Sequence, residues 1–345
     1  MRPYAIAGAL AGLSGLVVWF LRGGPKLPTN TDAVIDRVSR RDLTNVITGE
    51  TGYADSNGVR IWFESVPAVS PAKGTVLLNI SMGGNSLFWP PSFIRGLTSA
   101  GYRVIRYDQR GTGASDWMTA WDRKRPYSLL DMAGDAVSVL DAQQVEHAHV
   151  IGLSLGGFVA QEIAIADQSR VASLTLMSSA ADPTDASLPG PHIAPLLRSA
   201  LAGLPLLRYR LLGGERNLVK EVVAKAISAN GYDGLDVEEL ATLVLYDLRH
   251  RRGINLRAIL QHQAAVAITR SRYALLPLLR IPTLVVHGTG DTFIPIEHAY
   301  QLAELIPDAQ HLWLQGTNHQ FPYPGMATVT QAIISHLDRV AAARD

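Results

Sequence analysis

The sequence has no cysteine among its 345 residues. This absence excludes disulfide bonds, a thiolate nucleophile and cysteine-ligated metal sites. The sequence also lacks an excess of either charge, because acidic and basic residues nearly balance and give a formal net charge of +1. Nothing in the composition therefore predicts a nucleic-acid partner. The histidines and carboxylates form no cluster typical of a metal site, so we expect no metal ion.

The amino terminus has a long apolar run over residues 4–21, with Arg2 before it and Arg22 after it. About 18 uncharged residues reach the lower limit for a membrane-spanning helix. No small-residue cleavage site follows, which favours an uncleaved anchor at 1–24 over a cleaved signal peptide or a soluble helix. Lys and Arg beyond the run favour a cytoplasmic domain. Without Arg37, Arg40 and Arg41, an outward-facing domain is equally expected.

Strand-like and helical patterns alternate after a predicted linker at 25–50, which follows Gly23 and Gly24 and contains Pro25 and Pro28. Short apolar runs read as strands at Val59–Glu64, Thr75–Ser81, Tyr102–Asp108, His149–Gly152, Ser173–Met177, Pro282–His287 and His311–Leu314. Strands alternating with helices predict an α/β fold with a mostly parallel sheet covered on both faces. We assign residues 51–182 and 279–345 to this core.

Residues 183–278 interrupt the alternation with a block that has only helical patterns. A helical block inserted between two strands is typical of a lid over the carboxyl edge of the sheet, where open α/β sheets bind ligands. The segment Ile193–Leu212 is rich in leucine. Those leucines either pack the lid onto the core or line an apolar pocket for the acyl part of a substrate.

The sharpest local motif is G-x-S-x-G, centred on Ser154. An apolar strand precedes it and a helical pattern follows, which is the context that a nucleophilic serine on a tight strand-to-helix turn requires. The first backbone N–H groups of that helix can stabilise a developing oxyanion. We interpret Ser154 as the nucleophile, against the alternative of a chance match in a chain with 30 glycines.

A serine hydroxyl needs a base held against it, and the base needs an acid to orient it. Asp291 follows the predicted strand at 282–287, and His319 follows the strand at 311–314. Both therefore lie at carboxyl ends of strands, on the same edge as Ser154. Asp182, after the strand that follows the serine, is an alternative acid. His149 and His287 lie within or at the end of strands and are interpreted as core histidines.

A second glycine-rich turn follows the strand at 75–81, where Met82, Gly83, Gly84 and Asn85 occur in succession. A glycine pair directly after a buried strand lets backbone N–H groups face a substrate. The turn therefore fits the second donor of an oxyanion hole.

The chain from about residue 53 to 340 resembles the α/β-hydrolase superfamily. The resemblance rests on the order of five motifs: Met82–Asn85, Arg106–Ser115, the G-x-S-x-G motif, Gly288–Asp291 and Asn318–His319. The stretch Met82–Pro90 is most similar to the aclacinomycin methylesterase group, in which Met replaces the usual His of the oxyanion loop. This resemblance implies a triad of Ser154, His319 and Asp291. It also implies oxyanion N–H groups at Gly84 and Leu155.

We therefore predict a carboxylic-ester hydrolase that forms an acyl-enzyme on Ser154, acts on a small lipophilic ester and needs no cofactor. A thioesterase, a carbon–carbon hydrolase or a perhydrolase could use the same triad. Serine at the nucleophile position argues against epoxide hydrolase or dehalogenase chemistry, which needs a carboxylate there. An alternative of another class is a membrane-tethered binding protein that keeps the fold without catalysis.

Overall fold

The structure is a computed structural model that describes residues 19–343 apart from 195–196, 198–200, 202, 231, 233 and 320–322. Eight strands form one sheet in the order β1-β2-β4-β3-β5-β6-β7-β8. The strands are β1 (Glu50–Ser56), β2 (Val59–Val66), β3 (Gly74–Asn79), β4 (Tyr102–Tyr107), β5 (Ala148–Leu153), β6 (Val171–Met177), β7 (Thr283–Gly288) and β8 (Gln310–Leu314).

The sheet is mostly parallel. Strand β2 is antiparallel to both β1 and β4, and every pair from β4 to β8 is parallel. Strand β6 is buried at all seven positions, as expected for a central parallel strand that is covered on both faces. Strand β1 at the edge is mostly exposed and polar, which explains why an apolar pattern does not mark it.

Ten α-helices have defined bounds within the described residues. They are α1 (Thr31–Ser39), α2 (Pro91–Ser99), α3 (Leu129–Ala142), α4 (Leu155–Ala166), α5 (Leu207–Leu212), α6 (Gly214–Asn230), α7 (Val237–His250), α8 (Leu256–Ala267), α9 (Ile296–Leu305) and α10 (Tyr323–Ala342). Local sequence defines several of their starts. The Ser128 hydroxyl accepts from the Asp131 N–H, and the Asp131 carboxylate accepts from the Ser128 N–H, so a capping box begins α3.

Two hydrophobic clusters lie on opposite faces of the sheet. Helices α3, α4 and α9 cover one face, and helices α2 and α10 cover the other. The predicted α/β fold with helices on both faces is confirmed.

The chain between β6 and β7 contains helices α5 to α8. Helices α6 and α7 form a separate hydrophobic cluster with α1, the helix that precedes the sheet in sequence. Val38 of α1 is fully buried in this cluster. The segment 25–50, predicted as a linker, thus contains a helix that packs on the insertion.

The amino-terminal segment contacts the insertion along its length. The Arg208 guanidinium donates to the Gly23 carbonyl at 2.6 Å, and the Tyr232 hydroxyl donates to the Lys26 carbonyl at 2.6 Å. Arg37 forms an ion pair with Glu238 at 2.6 Å. These contacts tie residues 23–39 to the insertion rather than to the sheet.

The prediction of a membrane-anchored protein needs correction. Among the residues that the structure describes, no helix is long and apolar enough to cross a membrane. The predicted anchor was already marginal, since its 18 uncharged residues only reach the minimum length for a span. Most of it, residues 4–18, lies outside the described residues. The structure thus contradicts the predicted membrane attachment and, with it, the predicted cytoplasmic side.

Candidate active site

Ser154 lies at the turn between β5 and α4, in a backbone conformation that is rare for a residue with a side chain. Its φ is 54° and its ψ is −115°, a strained combination that surrounding structure must hold in place. The Ser154 N–H donates to the Met177 carbonyl at 2.8 Å. A Cβ on Gly152 would lie 2.2 Å from the Gly156 carbonyl oxygen, and one on Gly156 would lie 2.0 Å from the Asn79 oxygen. Only glycine therefore fits on either side of the serine.

The structure brings His319 and Asp291 to this turn. The Nε2 atom of His319 lies 2.9 Å from Oγ of Ser154, and its Nδ1 atom lies 2.7 Å from Oδ2 of Asp291. Because the carboxylate only accepts, Nδ1 carries the hydrogen and Nε2 is free to accept from the serine hydroxyl. A serine hydroxyl, an imidazole and a carboxylate are thus in contact, in the arrangement that acyl transfer by a serine requires.

The Asp291 carboxylate accepts several hydrogen bonds and has no solvent-exposed side-chain area. Its Oδ1 atom accepts from the N–H groups of Phe293 and Ile294, each at 2.9 Å. Burial alone would raise the pKa of Asp291, but the hydrogen bonds from His287 and His319 outweigh it and hold the pKa well below the usual range. The carboxylate therefore stays ionised beside the imidazole.

His287, interpreted from the sequence as a core histidine, is fully buried and also touches this carboxylate. Its Nε2 atom lies 3.2 Å from Asp291 Oδ2 and 2.9 Å from the Ile294 carbonyl oxygen. Since both neighbours are acceptors, Nε2 carries the hydrogen. His287 is thus a neighbour of the site that sequence reasoning missed. Its position four residues before Asp291, at the end of β7, was the available signal.

The alternative acid, Asp182, is engaged elsewhere. Its Oδ1 atom accepts from the N–H and the hydroxyl of Thr184, at 2.8 and 2.7 Å. His149, the other predicted core histidine, is buried with Nδ1 at 2.8 Å from the Ser173 hydroxyl. No group of three or more metal-ligating side chains occurs within the described residues.

The two predicted oxyanion donors, Leu155 and Gly84, differ in whether their N–H groups already have a backbone hydrogen-bond partner. Leu155 is the first residue of α4, so its N–H has no carbonyl partner within the helix and faces the start of the helix. The Gly84 N–H instead donates to the Ser81 carbonyl at 3.1 Å, closing a turn. The neighbouring Gly83 N–H donates to Nδ1 of His262, at 3.1 Å.

A cavity of about 260 Å³ is lined by Asn85, the residue that follows Gly84. It lies between helices α6 and α7 and the segment Asn85–Phe88, and its wall is mostly aliphatic. Two of its lining residues are hydrogen-bonded to each other, since the Asn85 amide donates to the Asp247 carboxylate at 3.0 Å. Burial raises the pKa of Asp247 to about 6.

Most leucines of the segment 193–212 do not line this cavity. The side chains of Leu197, Leu201, Leu207, Leu211 and Leu212 are exposed, whereas Leu196 lies outside the described residues. The cavity is instead walled by residues of the next two helices, including Leu218, Val222, Leu240 and Val244. The idea that the 193–212 leucines form an apolar pocket is therefore not supported for those described.

Ser154, His319 and Asp291 are in contact at one edge of an α/β sheet. Comparison with known proteins identifies the family. The model of the alpha/beta hydrolase fold family matches residues 74–323. This match covers more than half of the chain, so the chain belongs to that family, as the motifs predict.

Within the family, the chain is similar to named bacterial enzymes. It is 31% identical to rhodomycin D methylesterase DauP of Streptomyces sp. (strain C5), over 81% of this chain and 95% of the relative. It is 32% identical to the putative carbamate hydrolase RutD of Variovorax paradoxus (strain S110), over 79% and 95%. The predicted similarity to the methylesterase group is confirmed, and the predicted class of carboxylic-ester hydrolase agrees with it.

Solved structures show the same fold. A hydrolase from Pseudomonas aeruginosa PA01 matches with a TM-score of 0.59 and 25% identity, over 85% of this chain and 98% of that chain. Esterase RhEst1 from Rhodococcus sp. ECU1013 matches with a TM-score of 0.64 and 22% identity, over 84% and 99%. At 22% identity, the similarity to esterase RhEst1 shows a shared fold.

Proposed function

We propose that this carboxylic-ester hydrolase works through an acyl-enzyme on Ser154, with His319 as base and Asp291 as the orienting acid. The observation that carries the proposal is the unbroken chain of contacts, 2.9 Å from serine to imidazole and 2.7 Å from imidazole to carboxylate. The strained turn at Ser154 is a second support, since such strain clusters at functional sites.

In the proposed reaction, Nε2 of His319 takes the hydroxyl proton while Oγ of Ser154 bonds to the ester carbonyl carbon. The carbonyl oxygen becomes an oxyanion that the N–H groups of Leu155 and Gly84 stabilise. The carbon–oxygen bond to the alcohol then breaks, and His319 gives the proton to the leaving alcohol. A water molecule, deprotonated by His319, attacks the acyl-enzyme and releases the acid and the free serine.

The Gly84 N–H can take this part only if it is shared with, or leaves, the Ser81 carbonyl that it now contacts at 3.1 Å. Enzyme hydrogen bonds are often not yet in their reactive geometry before substrate binds. The Leu155 N–H needs no such change, because no helical carbonyl competes for it. We therefore assign Leu155 as the preformed donor and Gly84 as the donor that substrate completes.

The substrate we propose is a small lipophilic ester, and the helical insertion at 183–278 is proposed as its lid. The support is the cavity of about 260 Å³ with aliphatic walls beside Asn85. An apolar cavity of about 150 Å³ can hold benzene, so this one is large enough for a short acyl chain or a ring. Asp247 offers a polar group in its wall.

The test is covalent labelling with a fluorophosphonate, which reacts only with an activated serine. Wild-type protein should be labelled and should hydrolyse p-nitrophenyl esters, whereas Ser154→Ala should do neither. A panel of an oxygen ester, the matching thioester and a carbamate would then identify the preferred acyl group. Wild-type protein that remains unlabelled although correctly folded would contradict the proposed function and favour the binding-protein alternative.

A further inference from the structure

One side chain of the insertion reaches the turn that follows β3. The imidazole of His262, on helix α8, is fully buried. Its Nδ1 atom accepts a hydrogen bond from the Gly83 N–H at 3.1 Å. Its Nε2 atom lies 3.1 Å from the Arg110 carbonyl oxygen. His262 thus bridges two core loops that follow neighbouring strands, β3 and β4.

These contacts select one tautomer. The Arg110 carbonyl can only accept, so Nε2 carries the hydrogen, and Nδ1 is left as the acceptor for Gly83. Burial lowers the pKa of His262 to about 4, although the hydrogen bond with Arg110 acts in the opposite direction. The imidazole is neutral at physiological pH, as an acceptor role for Nδ1 requires.

The turn that His262 contacts contains two adjacent glycines, Gly83 and Gly84. Residues 81–84 are closed by the contact from the Gly84 N–H to the Ser81 carbonyl, and Gly83 has a φ of +68°. A positive φ at the third position is typical of a type II turn and needs glycine. Glycine gives the turn its shape but does not by itself restrict rotation of the flanking peptides. The peptides of Gly83 and Gly84 share one Cα, so fixing the first restricts the second.

Helix α8 is a firm support for this contact. Gln261 donates to the Met118 carbonyl at 2.9 Å, and Asn255 donates to the Gly111 carbonyl at 2.8 Å. A Cβ on Gly83 would lie 2.5 Å from Cγ1 of Ile259, which shows how closely the helix approaches the turn. Because α8 contacts these loops at three separate residues, the loss of the Gln261 contact alone should leave the helix in place.

We propose that His262 is a positioning residue that holds the Gly83–Gly84 peptide in place for oxyanion stabilisation, so that the insertion contributes to the chemical step. This inference rests on the proposed function, because Gly84 matters only if an oxyanion forms there. His262 itself does not touch the reacting atoms. Its effect on the reaction passes through the Gly83 N–H.

Two isosteric substitutions separate this effect from a loss of packing. In His262→Asn, the side-chain oxygen can replace Nδ1 as the acceptor for Gly83, while the contact with Arg110 is lost. In His262→Gln, the side-chain amide can replace the donor to Arg110, while the acceptor for Gly83 is lost. Both variants give up aromatic packing to a similar extent, so they should unfold at similar temperatures.

We expect His262→Gln to lower kcat roughly 10- to 100-fold with KM changed little, less than the loss seen when an oxyanion donor is removed outright. We expect His262→Asn to retain most of kcat. Gln261→Leu is the matched control, because it breaks the adjacent contact of α8 without touching Gly83. It should lower stability but leave kcat near the wild-type value.

Equal losses of kcat in the Asn and Gln variants, or wild-type kcat in both, would overturn the proposal. Nitrogen-15 NMR of protein labelled at both histidine and glycine gives a readout that does not depend on activity. The wild-type protein should show His262 in the Nε2–H tautomer and an amide resonance of Gly83 that moves in His262→Gln but less in His262→Asn. The opposite tautomer would also overturn it. Failure of the proposed function would appear separately, as wild-type protein that a fluorophosphonate does not label.

Discussion

The Nε2 atom of His319 lies 2.9 Å from Oγ of Ser154, although 165 positions separate the two residues in sequence. The contact arises because β5 and β8 are parallel members of one sheet, so the segments that follow them emerge at the same edge. Two further strands lie between them, and the loops after β7 and β8 carry Asp291 and His319 back towards the serine.

The first prediction concerns these residues as a unit. Ser154→Ala should lower ester turnover roughly 10⁴-fold or more, and His319→Ala should have a similar effect. The double variant should be little worse than either single variant, because neither residue activates the reaction without the other. Steady-state kinetics with a p-nitrophenyl ester measures this. Additive losses in the double variant would show that the two side chains act independently.

The second prediction distinguishes the two acids. Asp291→Asn should be severe, because an amide in that position can favour the wrong tautomer of His319. Asp182→Asn should leave turnover near the wild-type value, since Asp182 is bonded to Thr184 within its own loop. The same kinetic assay compares the two matched substitutions. Normal turnover in Asp291→Asn together with a large loss in Asp182→Asn would reverse the assignment.

The third prediction concerns the cavity beside Asn85. If it holds the acyl chain, kcat/KM should rise from acetate to octanoate, by at most about fourfold for each buried methylene. Val244→Trp, which fills the cavity, should remove the rise and leave acetate hydrolysis intact. Leu211→Trp is the control, because Leu211 is exposed. A flat or falling profile in the wild-type protein would eliminate the cavity as an acyl pocket.

The parts of the fold and of the site that depend on local sequence patterns could be predicted from the sequence. The order Ser154, Asp291, His319 could be predicted because each residue follows a short run that the sequence marks as a strand. The runs before Ser154 and Asp291 are buried, whereas β8, before His319, is partly exposed. Strand β1 could not be predicted from an apolar pattern, since it lies at the edge of the sheet and most of its side chains are polar and exposed. Helix α1 in the predicted linker is short, and its burial depends on partners nearly 200 residues away.

The contacts of His262 and His287 show a second limit of prediction from sequence. Neither residue belongs to a motif that the sequence marks, and their neighbours at Gly83 and Asp291 become visible only when the chain is folded. The same is true of the Gly84 N–H, whose contact with Ser81 is a matter of turn geometry. Sequence patterns predict which strand ends carry the site, whereas the side chains that orient the site depend on tertiary packing.

The fourth prediction concerns the packing of α1 on the insertion. Val38→Ala should lower the free energy of unfolding by about 2 kcal/mol, because Val38 is fully buried among α1, α6 and α7. Glu238→Gln, on the same interface, should cost less than about 1 kcal/mol, since its ion pairs with Arg37 and Arg41 are solvent-exposed. Urea unfolding measures both. A larger loss in Glu238→Gln than in Val38→Ala would mean that ion pairing, rather than apolar burial, holds the helix.

The last prediction concerns stability at acid pH. The folded protein keeps His262 neutral down to a pKa of about 4, whereas a histidine in the unfolded chain takes up a proton below about 6.5. Between these values the unfolded state binds more protons, so the free energy of unfolding falls as the pH falls, by about 1.4 kcal/mol per pH unit for one such group. His336 acts in the same direction, because burial also lowers its pKa to about 4.

Asp247 acts in the opposite direction. Burial raises its pKa to about 6, so the folded state binds its proton first and gains stability as the pH falls from about 6 towards 4. Asp247 therefore offsets part of the effect of the two histidines in this pH range. His262→Asn should flatten the slope of the free energy of unfolding against pH in urea unfolding measured between pH 4.5 and 7, whereas Asp247→Asn should steepen it. Parallel slopes for all three proteins would mean that neither group is held away from its ordinary pKa by the fold.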